Sequence, residues 1–252
     1  MKKTILIILF LTLIFNNVFS QQPAEEPKTL LYMKENSFGV EIHTSGWGFF
    51  YRNGKHVTGK LKKVWDIEFV SVSSPKEYSI SSQFNENSKE FVLGKLNSFF
   101  ILRTGIGFQK TLFNKPEKRG VEIRFFNFTG ISNGILKPVY LDILHFDSNN
   151  QNIATVTTER YDPNLHDKGN IYGKASFLKG IDELSYVPGL YLKCGFNFDF
   201  AESEENAKVR LFEIGAVLDA FPKKIPLMAY VNNNNFFFNL YIAFHIGKKK
   251  VQ

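Results

Sequence analysis

Residues 236–247 read Phe-Phe-Phe-Asn-Leu-Tyr-Ile-Ala-Phe-His-Ile-Gly. The even positions of this stretch are all apolar, and the odd positions are mostly polar or small. Alternate side chains of a β-strand point to opposite faces, so a strand here has one wholly apolar face and one mixed face. About 9–11 residues of such alternation suffice for a tilted strand to cross a bilayer. The stretch therefore predicts a membrane-spanning β-strand.

The same alternation recurs along the chain and predicts an all-β fold. In residues 38–51 the apolar parity shifts at Gly46, which indicates a β-bulge or the passage to an aromatic girdle within one strand. An even number of antiparallel strands is typical of closed outer-membrane barrels, and closure pairs the strand edges that lipid cannot satisfy. We expect a closed antiparallel transmembrane β-barrel of about eight strands over residues 37–252. The alternating segments are 38–51, 65–69, 100–112, 121–125, 139–143, 190–200, 212–218 and 236–246.

The first twenty residues predict a cleaved secretory signal peptide. Lys2 and Lys3 precede an apolar run over 5–15, as in the charged and hydrophobic regions of such peptides. Residues 21–36 lack a sustained period and predict a flexible lead-in. Later stretches fall short of about 20 consecutive apolar residues, so no transmembrane helix is expected.

The composition agrees with an alternating pattern of apolar residues and argues against a nucleic-acid-binding or disulfide-stabilised protein. The 252 residues include 27 Phe and 10 Tyr, yet mean hydropathy is only -0.15, so the apolar residues are distributed rather than clustered. The formal net charge of +7 is dispersed. Lys248-Lys249-Lys250 is the one tight basic run and reads as a solvated tail, so no nucleic-acid partner is expected. The single cysteine, Cys194, excludes an intramolecular disulfide.

The longest excursion of the chain, residues 148–187, is the first candidate for a binding surface. Alternation fades there, and long loops in compact domains are commonly functional. We expect one long extracellular loop with a short helix over 175–184 and a solvated Glu159-Arg160-Tyr161-Asp162 segment. Other segments expected to face outside are the turns near Asn53, Asn114 and Asn150 and the loop near Pro222.

Charged residues of both signs occupy the face opposite the apolar one. An eight-stranded barrel is only just wide enough to be filled by side chains, so mixed charges there would neutralise one another as a polar core. A narrow polar conduit and a binding site are the alternatives. The predicted interior residues are Glu41, Asp66, Glu68, Arg103, Glu122, Arg124, Lys193, Asp199, Glu213 and His245, and the same parity holds His43 and Asp219.

His43 and Ser45 are the sharpest catalytic candidates. Two residues apart on a strand, they project to the same face, and Glu41 or Asp66 would orient the imidazole in a serine-hydrolase arrangement. The pair resembles the His-x-Ser pair of outer-membrane lipid A deacylases, although Gly46 stands where that family has Asn. The enzymatic alternative is thus a membrane-embedded lipid A acyl hydrolase.

Metal and phosphate sites have little support in the sequence. The five histidines do not pair at ligand spacing, and no Cys-x-x-Cys is present, so no metal or cofactor is expected. Gly105-Ile106-Gly107 lies in mid-strand, where small residues make room inside a barrel.

Six short motifs are spread over most of the mature chain: Phe19-Ser20-Gln21, Gly94-Lys95-Leu96-Asn97, Leu102-Arg103-Thr104-Gly105-Ile106-Gly107, Leu136-Lys137-Pro138-Val139-Tyr140-Leu141, Phe221-Pro222-Lys223-Lys224-Ile225-Pro226 and Phe244-His245-Ile246-Gly247-Lys248. These motifs resemble small outer-membrane β-barrel proteins of the Bacteroidota. The resemblance implies fold and location and carries no catalytic residues. The final strand also resembles the aromatic signal read by the barrel-assembly machinery, although the chain continues past Phe244.

The sequence favours a non-enzymatic integral protein of the cell outer membrane, acting as a structural or interaction component. Expected partners are outer-membrane lipid and lipopolysaccharide, the barrel-assembly machinery during insertion, and another protein of the outer membrane. A narrow pore is one further alternative. A soluble lipocalin-like binder is another, and it requires the Phe-rich parity to point into a ligand cavity.

Overall fold

The computed structural model describes residues 34–84, 89–114, 120–146, 154–200 and 208–250. Within these ranges the chain forms thirteen strands joined by turns and loops. No helix in the described ranges is long and apolar enough to cross a membrane. The strands are β1 Lys34–His43, β2 Gly46–His56, β3 Leu61–Val72, β4 Ser79–Ile80, β5 Phe91–Val92, β6 Asn97–Phe113, β7 Glu122–Pro138, β8 Tyr140–Phe146, β9 Ala154–Arg160, β10 Ile171–Lys174, β11 Ser185–Asp199, β12 Lys208–Ala220 and β13 Phe236–Lys250.

Eight strands close into one antiparallel barrel, in the order β1-β13-β12-β11-β7-β6-β3-β2. Each barrel strand therefore pairs with the barrel strands before and after it along the chain. β1 closes the barrel on β13, with pairs running from Lys34↔Lys250 to His43↔Tyr241. Closure gives every barrel strand two paired edges. The predicted closed antiparallel barrel of eight strands is confirmed.

Two of the eight predicted strands are wrong, and the number of barrel strands is still eight because one error adds a strand and the other removes one. Residues 38–51 do not form one bulged strand, because β1 and β2 make a hairpin that reverses at Thr44-Ser45. A side chain on Gly46 would place its Cβ 2.0 Å from the Ser71 carbonyl oxygen, so the close approach of β3 requires glycine here. Residues 139–143 lie outside the barrel, in β8, since β7 ends at Pro138.

The extra reversal changes which turns share an end of the barrel. Lys34 and Lys250 lie at one end, which we call the termini end, together with the β2–β3 turn over 57–60. The starts of β7 and β12 also lie at the termini end. Consequently the chain reversals near Asn53 and Asn114 lie with the termini, and the prediction that they face opposite is wrong. Asn150 lies outside the described residues.

The opposite end, which we call the cap end, carries the four remaining connections. The β1–β2 turn is tight, whereas 73–96, 139–184 and 221–235 are long. β10, β8 and β9 form a three-stranded sheet and β4 and β5 a two-stranded one, so the cap end is structured where a long loop was predicted. The helix predicted over 175–184 is wrong, because this segment forms successive turns and β11 begins directly after it. The apolar core of the cap comprises Phe91, Val139, Leu141, Ile143, Tyr161 and Ile171.

The Phe-rich parity faces outward. On β13 the side chains of Phe236, Phe238, Leu240, Ile242, Phe244 and Ile246 are 39–63% exposed, whereas Asn239, Tyr241, Ala243 and His245 are buried. This orientation contradicts the lipocalin-like alternative, which needs the same side chains inside.

The ends of the chain differ in part from expectation. Residues 34–36 belong to β1 and not to the predicted lead-in, and Lys248-Lys249-Lys250 belong to β13 and not to a tail. The predicted signal peptide over 1–20 lies outside the described residues.

Candidate functional site

The middle of the barrel interior holds a cluster of buried ion pairs around Arg103. Its guanidinium binds Asp219 through two parallel contacts, Nε to Oδ1 at 3.0 Å and Nη2 to Oδ2 at 2.7 Å. Nη1 lies 3.1 Å from Glu68 Oε2, and Ser132 donates its hydroxyl to Asp219 Oδ1 at 2.6 Å. Paired contacts of this kind fix both distance and orientation. Through these contacts, Arg103 on β6 joins Glu68 on β3 to Asp219 on β12, and so links opposite walls of the barrel.

Arg52 forms the second hub of the same cluster, and sequence reasoning missed it. Nη1 and Nη2 bind the two carboxylate oxygens of Glu213 at 2.5 and 3.1 Å, and Nε binds Asp66 Oδ1 at 3.1 Å. The guanidinium carbon lies 4.5 Å from the centre of the Phe50 ring and 4.7 Å from that of Phe128. Aromatic faces attract such a cation, especially where water is excluded.

Lys193 completes the middle cluster by bridging β1 and β3. Its Nζ lies 2.8 Å from Glu41 Oε2 and also binds Glu68. His245 Nε2 lies 3.0 Å from Glu213 Oε2. The cluster thus combines the cations of Arg52, Arg103 and Lys193 with five carboxylates, and Glu41 Oε1 and Asp66 Oδ2 have no hydrogen-bond partner among the described residues.

A second, separate cluster lies inside the termini end around Arg124. Its nitrogens contact Glu122 at 2.7 Å, Glu35 at 3.2 Å and Asp199 at 2.9 Å, and Lys62 also binds Glu35. Sequence reasoning missed Glu35, which it placed in the lead-in, and Lys62. Their inward parity on β1 and β3 was the available signal.

Apolar side chains close the barrel interior at the cap end. Phe221, Ile225, Leu227 and Met228 come from the β12–β13 connection and are 0–6% exposed. They pack into the mouth against inward-facing residues of the strands, including Ile101. Ion pairs below and an apolar plug above fill the lumen, which favours a closed barrel over a conduit.

Glycines in the strands make room for inward-facing rings, as predicted for residues 105–107. A Cβ on Gly105 would lie 2.3 Å from the Tyr191 hydroxyl oxygen, and a Cβ on Gly39 would lie 2.3 Å from Cζ of Phe50. Real Cβ atoms do not approach other atoms so closely, so substitution would displace the ring.

The candidate catalytic pair is not arranged as a serine-hydrolase triad. The His43 Nδ1 atom accepts the backbone N–H of Ser45 at 3.3 Å. In a neutral imidazole the proton is then on Nε2, which leaves that atom without the lone pair a general base needs. Glu41 and Asp66, the proposed orienting carboxylates, are held by Lys193 and Arg52.

The cap presents a mixed polar surface near its outer edge strand, β9. The Thr157 hydroxyl and His145 Nε2 each lie 2.6 Å from Glu159 Oε1, and these contacts hold the pKa of the Glu159 carboxyl below its ordinary value. The predicted solvated segment is wrong at Tyr161, which is buried in the cap core. Among the described residues, no group of three or more His, Cys, Asp or Glu is placed to hold a metal ion.

Aromatic rings run around part of the outer wall near the cap end. Ring centres of Phe49 and Phe69 are 5.4 Å apart, those of Phe69 and Phe100 are 5.6 Å apart, and Phe177 of the cap lies 6.4 Å from Phe100. Rows of this kind are typical of the girdles that flank the apolar band of membrane barrels.

Comparison with known proteins adds little. The sequence matches no known family and no curated protein. The solved structure of Neisserial surface protein A is 8% identical and has a TM-score of 0.41, with 87% of this chain and 97% of that chain covered. For Ail, the attachment invasion locus protein of Yersinia pestis, the values are 8%, 0.38, 86% and 95%. For the N-terminal β-barrel domain of Pseudomonas aeruginosa OprF they are 6%, 0.35, 86% and 96%. Such low TM-scores carry no conclusion, and the functional proposal rests on this chain's own geometry.

Proposed function

We propose that this protein is a non-enzymatic, integral β-barrel of the cell outer membrane, exported by the signal peptide predicted over residues 1–20. The supporting observation is the apolar band on the outer wall. On β13 the band runs from Phe236 to Ile246, which at about 3.4 Å per residue and a tilt of about 40° gives a height of roughly 26 Å. Bands of about 25 Å are typical of outer-membrane barrels.

The distribution of charge supports the same proposal. Charged side chains such as Arg52, Arg103 and Glu213 are 0–2% exposed inside the barrel, while large apolar side chains such as Leu190 and Leu192 are 61–66% exposed outside. Soluble monomers rarely expose apolar patches above a few hundred Å². Lipid, by contrast, solvates the apolar wall and leaves the charges to pair with one another. The resemblance to small barrels of the Bacteroidota is part of this proposal.

The cap gives the barrel its role as an interaction component, as a partner or subunit within a larger envelope assembly. With the termini on the periplasmic side, as in bacterial barrels, the cap lies outside the cell. It exposes Leu165, Leu178 and Tyr230 at 69%, 70% and 82%. Tyr230 has a φ of 60°, a strained backbone conformation for a residue other than glycine and one that is common at binding sites. Its hydroxyl donates to the Pro163 carbonyl at 2.5 Å, which joins two connections of the cap.

Fractionation of cells that express the full chain tests membrane insertion. We expect the protein in the sarkosyl-insoluble outer-membrane fraction, with faster gel migration before boiling than after it. A closed lumen further predicts no steady conductance in planar bilayers. Recovery of the folded protein in the soluble periplasm would overturn the proposal, and a stable conductance would replace it with the pore alternative.

A further inference from the structure

The outer wall changes character at the termini end, from apolar to basic. Eight exposed, outward-facing basic residues lie there on six adjacent strands, β12, β13, β1, β2, β3 and β6. They lie at the edge of the apolar band. On β13 Lys248 is the next outward position after Ile246, and on β1 and β2 one outward asparagine, Asn36 or Asn53, separates the lysine from the band. We name this set the basic belt. Its members are Lys34, Lys55, Lys63, Lys110, Lys208, Arg210, Lys248 and Lys250.

The pairing of the strands places like charges side by side within the belt. Lys34 lies directly opposite both Lys250 and Lys55, and Lys55 lies opposite Lys63. Four lysines thus form a continuous row across β13, β1, β2 and β3. Like charges directly opposite one another destabilise a sheet. A compensating negative charge is therefore expected.

The described part of the protein does not supply that negative charge. At this end the carboxylates of Glu35 and Asp199 face inward, where they pair with Lys62, Arg124 and Lys249. None of the eight belt residues forms an ion pair with a carboxylate of the described residues. Within the described ranges the belt therefore lacks a compensating anion, which lipid phosphates around the barrel are placed to supply.

We infer that the basic belt binds the headgroups of anionic phospholipids in the leaflet at the termini end. Outward positions along a tilted strand are spaced by roughly 5 Å of membrane depth. The belt thus falls in the headgroup layer, which adds about 5–8 Å to each side of the hydrocarbon core. Long lysine side chains reach from the edge of the apolar band to the phosphates. This inference rests on the proposed insertion of the barrel into a membrane.

Tryptophan quenching by brominated lipids tests the inference on the full mature chain. Trp65 lies outward on β3, two residues from Lys63, and a Trp47→Phe background leaves it as the one tryptophan. The protein is refolded into phosphatidylcholine vesicles that contain brominated phosphatidylglycerol or brominated phosphatidylcholine. The ratio of the two quenching constants gives the preference for the anionic headgroup.

In this background we expect a preference of several-fold for phosphatidylglycerol, because each basic residue near an anionic surface contributes roughly fivefold in binding. Lys34→Gln/Lys55→Gln/Lys63→Gln should bring the ratio close to one, and about 0.5 M salt should do the same through screening. The matched control, Lys168→Gln/Lys174→Gln/Lys223→Gln, removes the same charge from the cap and should leave the ratio unchanged.

Different results overturn different claims. Quenching by both lipids with a ratio near one in the unsubstituted belt would overturn the belt inference while membrane insertion stands. A preference that survives loss of the three belt lysines would also overturn it. If neither brominated lipid quenches Trp65, membrane insertion itself is overturned.

Discussion

Breaking the buried pair between Arg103 and Asp219 should strongly destabilise the barrel. Both side chains are fully buried, and their two contacts measure 3.0 and 2.7 Å. Removing one partner of such a pair leaves an uncompensated charge and typically costs about 3–5 kcal/mol. Arg103→Met should lower the free energy of unfolding by about that amount, whereas Asp219→Asn should cost less, because Arg103 keeps its contact with Glu68 at 3.1 Å. The double variant should cost less than the sum, with a coupling of about 1–3 kcal/mol.

Urea titration in phospholipid vesicles measures these values, with unheated gel mobility reporting the folded fraction. An exposed pair on the cap, Arg160 with Glu183 at 3.4 Å, is the control, and water screening should leave it with little coupling. If single variants do not fold, recovery of folding in the double variant carries the same information. A cost of Arg103→Met no larger than that of the control substitutions would contradict the burial of this pair, because the interior would then be wet.

Three further predictions follow from the packing. Gly105→Ala should destabilise the barrel by about 1–3 kcal/mol, since the new methyl group meets the Tyr191 hydroxyl; equal stability by urea titration would show that the ring has space to move. Leu192→Arg should cost about 2–4 kcal/mol in vesicles, whereas Leu165→Arg, at similar exposure on the cap, should be neutral, and equal effects would argue against a lipid-facing wall. Ile225→Ala should cost about 2–5 kcal/mol by opening a cavity in the mouth plug, and an unchanged denaturation midpoint would show that the plug is loose.

The strand faces were predictable from the sequence, because a period of two survives wherever one face is lipid or core. The membership of the barrel was less predictable. The β8 segment shows the same alternation because it is half-buried in the cap sheet, and the sequence pattern does not distinguish that burial from a barrel wall. Either a bulge or a chain reversal explains the shift of parity at Gly46. The reversal takes only two residues, Thr44 and Ser45, which is too short a polar stretch for the sequence pattern to distinguish it from a bulge.

A charged, mutually neutralising interior was predictable from the sequence, but the central position of Arg52 within it was not. Arg52 precedes Asn53-Gly54, a pair that favours a hairpin turn, yet here β2 continues through it to His56. Cross-strand pairing with β3 overrides that local preference, and Gly54 lies inward, where a Cβ would make only ordinary contacts, the nearest at 3.4 Å from Val64. The contacts of Arg52 with Glu213 join strands far apart in sequence, which a single strand's pattern does not encode.

Labelling of Cys194 tests the central claim, that the Phe-rich wall faces lipid, most directly. This single cysteine lies outward on β11 and is exposed in the isolated barrel. A membrane-impermeant maleimide should leave it unmodified in native outer membranes and modify it after boiling in detergent. A Leu165→Cys cap variant that also carries Cys194→Ser should react without boiling. Reaction of Cys194 in native membranes at the rate seen after boiling would contradict the account.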